Sequence, residues 1–469
     1  MNSKFKNLFI AILTVVVLVG IAFTSNAQYS VSISDHHGKS RVKVNNPIND
    51  YKVEYEGEFI LSDDDTDIIS IIGGGYFEIV KSSFGASRRV RIETDGNQLI
   101  KRYYVGWSER DFEPEGQKWL AEVLPDLVRT TTIAAEQRVN RIYNKHGVPG
   151  LIRELDLLRG DYVSKAYYSY IFKKDLKDQD LAQLLRSAGQ TINSDYYLAT
   201  LLGEYQREIG LKETTIGPFI EATVNIGSDH YQTNVLVSLA ENDNLKGDHL
   251  SKAIGGARSI QSDHYKSQVV KAFNKRTLTP QQLNLLLKES EDIQSDHYLS
   301  NALIEIIKKQ SLTSAGVSHV VKAAGHISSD VYLRNVYEAL FKHTDLSKQD
   351  LAVILESADA IGSDTYLSSL LTQVLQDQRD SETLQNVFKL AANAIGSDHY
   401  LSEVHKHAMK RQELKRAVMT SFVTAMEELS SGHYSLNVIR EAQNINLQED
   451  ELIQLVSACS SVTSDHYLT

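Results

Sequence analysis

Apolar residues recur at helical spacing through most of this chain, in blocks parted by short polar breaks. Val317, Val320, Val321, Ala324 and Ile327 make one such stripe. It returns at Leu250, Ala253, Ile254, Ala257 and Ile260, and at Leu351, Ile354, Leu355, Ala358 and Ile361. A second kind of block, Tyr298, Leu299, Ala302, Leu303, Ile306 and Ile307, alternates with the first. The blocks therefore read as helix pairs. Each pair opens on a phrase whose fullest form, Ile-Gly-Ser-Asp-His-Tyr-Leu-Ser, lies at 395–402. Its aspartate falls at Asp161, Asp195, Asp229, Asp263, Asp296, Asp330, Asp364, Asp398 and Asp465, with Gly432 in its place once, in steps of 33 or 34 residues. One pair cannot cover its own stripes, so neighbours must do so. The pattern predicts an α+β chain, mainly α: an alpha-solenoid of about ten 33–34-residue helical hairpins, with a small antiparallel β domain before it. At ~8–10 Å between packed helices, the array is expected to be on the order of 90 Å long.

The phrase itself reads as a helix start. Ser228, Ser295, Ser363 and Ser397 are expected N-caps, each hydroxyl accepting a bond from a free N–H of the first turn. Asp229, Asp296, Asp364 and Asp398 follow at the positive end of the helix dipole. Thr279-Pro280 has the same logic, with proline at the first helical position. Tyr231, Tyr265, Tyr298, Tyr366 and Tyr400 allow two readings: rings wedged between units, or an aromatic row on the surface for a peptide or a glycan. The histidines at 230, 264, 297, 399, 433 and 466 are read as packing and capping groups, because equivalent positions ~10 Å apart cannot share one zinc.

Ahead of the repeats the period changes to two. Val31 and Ile33, Val42 and Val44, Val53 and Tyr55, Ile69 and Ile71, and Val90 and Ile92 alternate with polar residues. Gly73-Gly74-Gly75, Gly85 and Asp95-Gly96 are expected turns. Residues 28–108 are thus a β-rich domain and 109–469 the solenoid, its last repeat incomplete. Pro114 is expected to open a helix carrying Trp119, Leu120, Val123 and Leu124, and Pro125 to kink or end it.

Lys4 and Lys6 precede an apolar run from Leu8 to Phe23, and Ser25-Asn26-Ala27 has the small residues of a cleavage site. Residues 1–27 are read as a signal peptide, with an uncleaved anchor as the competing reading. No cysteine follows the site, which excludes a lipoprotein anchor. The expectation is an exported chain, periplasmic or extracellular, with no stable membrane insertion once cleaved. Loss of the two lysines takes the net charge from −11 to −13, which disfavours nucleic acid as a partner. The single cysteine, Cys459, cannot form an internal disulfide.

Candidate chemistry is sparse. Asp63-Asp64-Asp65-Thr66-Asp67 has the early spacing of a calcium loop but lacks its glycine and closing glutamate, and is read as a solvated turn. The glycine triplet leads into a strand rather than a helix, so it is no phosphate cradle. The chain has no His-Glu-x-x-His, Cys-x-x-Cys or Gly-x-Ser-x-Gly. His405 and His407 are read as surface residues of a helix. No catalytic residue, metal site or cofactor is expected.

The period matches tetratricopeptide repeats, but their signature residues are absent, and the units are similar to HEAT-type hairpins in length and helix pairing. Tyr55-Glu56-Gly57-Glu58-Phe59, Gly74-Gly75-Tyr76-Phe77-Glu78-Ile79, Trp119-Leu120-Ala121-Glu122-Val123-Leu124-Pro125, Arg138-Val139 and Gly160-Asp161-Tyr162 carry a further likeness. Together with Asp67-Ile68-Ile69-Ser70, this stretch resembles an extracytoplasmic region of bacterial beta-lactam-sensor-type membrane metallopeptidases. That family's zinc motif is absent, so the resemblance implies a sensing or docking module without the peptidase. The expected function is an exported, non-catalytic scaffold binding a protein or peptide along a solenoid surface. The alternative is a glycan binder or an enzyme with its site where the β domain meets the first repeats. The last phrase, Ser464 to Thr469, opens a helix that the chain does not complete, and the expectation is a fragment of a longer chain. N-terminal sequencing of the protein from its native envelope should begin at Gln28; an intact Met1 or Asn2 on membrane-bound protein would make residues 1–27 an anchor.

Overall fold

The computed structural model describes residues 30–36, 39–45, 50–83, 86–96, 98–377, 379–412, 416–442 and 448–458. The expected leader, Gly85, Cys459 and the final phrase lie outside them. Compact packing divides the chain between Tyr205 and Gln206.

In the first unit, seven strands form one antiparallel meander in chain order. They are β1 Ser30–His36, β2 Lys39–Asn45, β3 Asp50–Leu61, β4 Ile68–Ser83, β5 Ala86–Asp95, β6 Gln98–Val105 and β7 Ser108–Arg110. Alternation sends Val42, Val53, Phe77, Ile79, Val90, Ile92 and Tyr103 to one face. There they meet Trp119, Leu120, Val123, Leu124, Leu127 and Val128 of helix α1, Gln117–Thr130. Pro125 does not end this helix, which runs through it to Thr130. The glycine triplet is not a turn either. It lies inside β4, where the register slips between Glu56 and Glu58. Gly57 and Gly75 have positive φ, and a Cβ on Gly75 would sit 2.1 Å from the Glu56 carbonyl oxygen. A second register shift, near Ile60 and Leu61, buries Ile68 and Ile71 and leaves Ile69 exposed, breaking the expected alternation.

Helix α2, Ala135–Leu155, has a non-helical break at Gly147 and carries the unit's buried charge. Arg138 is 0% exposed. It donates to Asp65 Oδ2 at 2.8 and 3.0 Å and to Glu154 Oε1 at 2.7 Å, and it meets the Tyr167 hydroxyl. Arg141 also binds Asp65, and Arg129 binds Glu154 at 2.9 Å. The turn before β4 is therefore only partly solvated, because Asp65 is buried and clamped to α2. Its neighbours go elsewhere: Asp63 to Lys145, Asp67 to Lys101 at 2.5 and 2.6 Å, and Asp64 to Thr66 and Ser62. The last two bonds hold the Asp64 pKa down at about 2. Burial works against the Arg138 cation, yet Tyr167, Asp65 and Glu154 keep its pKa above the ordinary value. Burial pushes the Tyr167 hydroxyl up to about 12.

Helical hairpins follow: α3 Asp161–Phe172, α4 Asp178–Thr191 and α5 Asp195–Glu208. The second unit continues with α6 Glu213–Val224, α7 Asp229–Ala240, α8 Gly247–Gly255, α9 Asp263–Asn274, α10 Pro280–Ser290, α11 Asp296–Lys309 and α12 Ser314–Ala324. Then come α13 Asp330–His343, α14 Lys348–Ala358, α15 Asp364–Val374, α16 Ser381–Ala394, α17 Asp398–Arg411, α18 Arg416–Glu427, α19 Gly432–Ala442 and α20 Glu449–Ala458. Odd helices pack on odd helices and even on even, from α7 to α19 and from α6 to α20. This is the tandem two-layer stack of hairpins that the period predicts. The recurrent small residues Ala257, Ala324 and Ala358 are fully buried between them. No described helix is long and apolar enough to cross a membrane.

Replacing Arg138 with methionine should destabilise the first unit by about 2–4 kcal/mol, because Asp65 and Glu154 each lose one of two cations and are left with Arg141 and Arg129 alone. Burial alone would raise the Glu154 pKa, but Arg129 and Arg138 hold it below the usual 4.5. Its contribution is thus complete above that value and lost as pH falls through the depressed one. Acid unfolding followed by circular dichroism should begin at higher pH in the variant.

Candidate functional site: the motif edge of the repeats

Each described phrase of the second unit opens an odd helix; in α7, α9, α11 and α17 it reads serine at the N-cap, then aspartate, histidine and tyrosine, whereas Val331 and Thr365 take the histidine's place in α13 and α15 and Gly432 the aspartate's in α19. Ser228, Ser295, Ser363 and Ser397 have the extended backbone of a cap, but none of their hydroxyls bonds to the helix. The expected hydroxyl cap is therefore corrected. What each serine contributes is backbone: its carbonyl starts the helix, as in the 2.9 Å bond from Leu299 N–H to Ser295 O.

The aspartates do the capping, and they do it for the next repeat. Asp229 accepts from the N–H groups of Gln261 and Ser262 at 3.2 and 2.7 Å. Asp263 accepts from Gln294 and Ser295 at 3.1 and 2.8 Å, and Asp296 from Ser328 and Ser329 at 3.2 and 2.8 Å. Asp364 binds Gly396 and Ser397 likewise, and Asp398 binds Ser430 and Ser431. Asp330 takes Gly362 N–H, and in the first unit Asp161 takes Asn193 N–H. The two amides just ahead of a helix have no intrahelical acceptor. A carboxylate at the positive end of the preceding helix supplies one, with charge-assisted strength.

The rings lie beside this ladder. The histidines are exposed and the tyrosines half-buried. His230 contacts its own Tyr231 at 5.1 Å between centroids and Tyr265 of the next repeat at 5.6 Å. His264 bridges Tyr265 and Tyr298 at 5.1 and 5.4 Å, and His297 bridges Tyr298 and Tyr332 at 5.3 and 5.9 Å. Seven rings thus alternate without a gap. Amides one turn on fix the imidazoles: Asn234 to His230, Gln268 to His264 at 2.8 Å, and Asn301 to His297. Where Val331 replaces the histidine, Arg334 takes the contact, its guanidinium 5.7 Å from the Tyr366 ring. His399 resumes the pattern with Tyr400 and Tyr434. The tyrosine rings are half-buried between repeats and line one edge together with the exposed histidines.

Other positions differ from expectation. His405 is not a surface residue. It is fully buried against Phe388 and Phe422, with both nitrogens near carbonyl oxygens, of Leu401 at 2.9 Å and Phe422 at 3.2 Å. Burial lowers its pKa, opposed by those carbonyls. At the opposite end of the odd helices, sequence reading missed a set of carbonyl clamps. Gln310 Nε2 donates to Asn274 O and Arg276 O at 2.8 and 2.9 Å; Gln412 Nε2 donates to Leu375 O and Asp377 O at 2.8 and 2.7 Å. The matching phase of Gln310 and Gln412, fourteen residues after their aspartates, was the available signal. A cleft of about 350 Å³ lies there, lined by Arg276, Pro280, Asn284, Lys309 and Gln310 among others. Arg276 is already spent on Ala240 O, Asn242 O and Leu245 O. Among the described residues no group of histidine, cysteine or carboxylate side chains is placed to hold a metal.

No protein-family model and no curated protein matches this chain. Two solved structures bear a distant likeness to it. One, from the computational design of self-assembling cyclic protein homooligomers, is 12% identical over 67% of this chain and 100% of its own, with a TM-score of 0.12. Another, a circular tandem repeat protein with novel repeat topology and enhanced subunit contact surfaces, is 14% identical over 74% and 72%, with a TM-score of 0.13.

Replacing Asp296 with alanine should remove the acceptor of Ser328 and Ser329 and destabilise the array by about 1–3 kcal/mol. Hydrogen exchange at those two amides should quicken. Ser295→Ala should stay within about 0.5 kcal/mol of the parent. The opposite ranking would restore the hydroxyl cap.

Proposed function

We propose that this protein is an exported, non-catalytic scaffold that binds a protein or peptide along the motif edge of its repeats. The observation that carries the reading is the unbroken His–Tyr row from Tyr231 to Tyr332. It presents the same exposed imidazole and half-buried phenol at three successive repeats, His230-Tyr231, His264-Tyr265 and His297-Tyr298. An extended chain laid along it meets one chemistry repeatedly, which is how repeat proteins accumulate affinity from weak contacts. The rings are held by amides and by each other, so little order has to be gained on binding. The motif carboxylates are not open to a ligand in the same way, since each is occupied by the next turn. Export rests on the leader pattern of residues 1–27 and is part of the proposal.

The alternative site, where the sheet meets the first hairpins, is filled by Asp65, Arg138, Glu154 and Tyr167 binding one another. That favours the scaffold over an enzyme there.

A His230→Ser, His264→Ser, His297→Ser variant should keep the parent's unfolding midpoint, because all three side chains are exposed. It should capture the partner from native envelope extract at least about tenfold less well than the parent, since a surface contact row loses its anchors. Equal capture would move the binding surface elsewhere. Capture that is released by added oligosaccharide, and not by peptide, would favour a glycan.

A further inference from the structure

The geometry points to a second interaction surface, at one end of the sheet in the first unit, that docks on an anionic lipid headgroup layer. Strands β6 and β7 are joined by the turn Gly106-Trp107. Gly106 has a φ of 61°, and its N–H bonds to Ser87 O at 2.8 Å, which ties the turn to the start of β5. At the tip Trp107 is 102% exposed and Val105 beside it is also exposed, whereas the chain's other tryptophan, Trp119, is 4% exposed. An indole fully in water on a hairpin tip is an unpartnered apolar group.

Cations gather at the same end. Across the open face one row reads Lys43, Lys52, Val80, Arg89 and Tyr104 on five paired strands, with Asn45, Asp50, Ser82 and Ser87 in the row beyond it. Between these two rows, on the other face of the sheet, Lys81 and Arg88 stand opposite each other, and Arg88 is opposite Val105. Lys43 and Lys52 stand directly across from one another, both exposed. Like charges so placed repel, and a bound anion relieves them. Three carboxylates are near, one of them Asp50 in the end row. Glu109 is opposite Tyr104, and Glu78 lies 3.8 Å from Arg89 but 3.2 Å from Arg91. One row further in, Arg41 pairs with Glu54, Arg91 with Glu78 and Glu93, and Arg102 with Glu93. The described residues at the end that carries Trp107 thus hold more cations, Lys43, Lys52, Lys81, Arg88 and Arg89, than acids, in a chain of net charge −11. Arg89 is seated over Tyr104 at 4.0 Å and Lys81 over Tyr51 at 4.9 Å, so the cations are held in place. An amphipathic ring at headgroup depth, flanked by cations at the level of the phosphates, is the chemistry of peripheral attachment to anionic bilayers.

Trp107 is its own probe, because Trp119 is buried and silent to solvent. Adding vesicles of phosphatidylglycerol and phosphatidylcholine to the full chain should shift its emission to the blue, and phosphatidylcholine alone should not. Lys52→Glu and Arg88→Glu should each weaken the partition roughly fivefold, and Trp107→Ser should abolish the shift with circular dichroism unchanged. The apolar leader is common to all variants and cancels in the comparison. Unshifted emission on anionic vesicles would overturn the inference, as would a shift indifferent to Lys52→Glu. So would a shift that grows with protein concentration without lipid, which would make a second copy the occupant.

Discussion

One carboxylate, placed at the first position of a helix and turned toward the following repeat, organises the array. The amides on the approach to each helix have no partner within it. The aspartate of the repeat before accepts them, as Asp263 does for Gln294 and Ser295. Each repeat thereby sets the position and entry angle of its successor. The bond is short-range and directional, whereas the apolar packing between helices is neither. Packing holds the repeats together; the aspartates hold them in register. The ring row depends on the same device, since His297 reaches Tyr332 only because the two helix starts are kept side by side.

The first unit solves a different problem. Its sheet has one buried face and one charged face, and a cluster of buried charge lies where the turn before β4 meets α2. Arg138 there is out of water and has carboxylates on two sides. Such a network contributes little net stability compared with an apolar core of the same shape, but leaving it incomplete is costly. Its effect is to admit one docking arrangement of turn and helix. In the array, by contrast, the repeated charge remains near solvent and acts one bond at a time.

The two candidate surfaces follow from what each unit leaves uncovered. Among the repeats, the residues that do structural work are backbone amides and aspartates, and the rings beside them keep an open edge. In the sheet, charge pairs cancel across the open face in the row of Arg41, Glu54, Glu78 and Arg91, and the next row toward Trp107 gathers Lys43, Lys52 and Arg89.

The period, the helix pairs, the buried stripes and the β-first organisation were legible in the chain itself, because an apolar stripe at 3.6 or 2 residues is a property of local geometry. The helix starts at Ser295 and Ser397 were legible for the same reason. What the local pattern could not tell was which atom of the phrase does the bonding. A serine and an aspartate at a helix start both satisfy the rules of capping, and only the position of the next repeat, some 33 residues away, draws the carboxylate outward and leaves the hydroxyl without a helix bond. His405 was misread because a polar ring on a helix gives no local sign that Phe388 and Phe422 will close over it. The glycine triplet looked like a turn because positive φ serves turns and bulges alike; the close approach of Glu56 to Gly75 decided for the bulge. Spacing along the chain determined which elements form. Contacts between residues distant in the chain decided which polar group each element offers to its neighbour and which it leaves to the solvent.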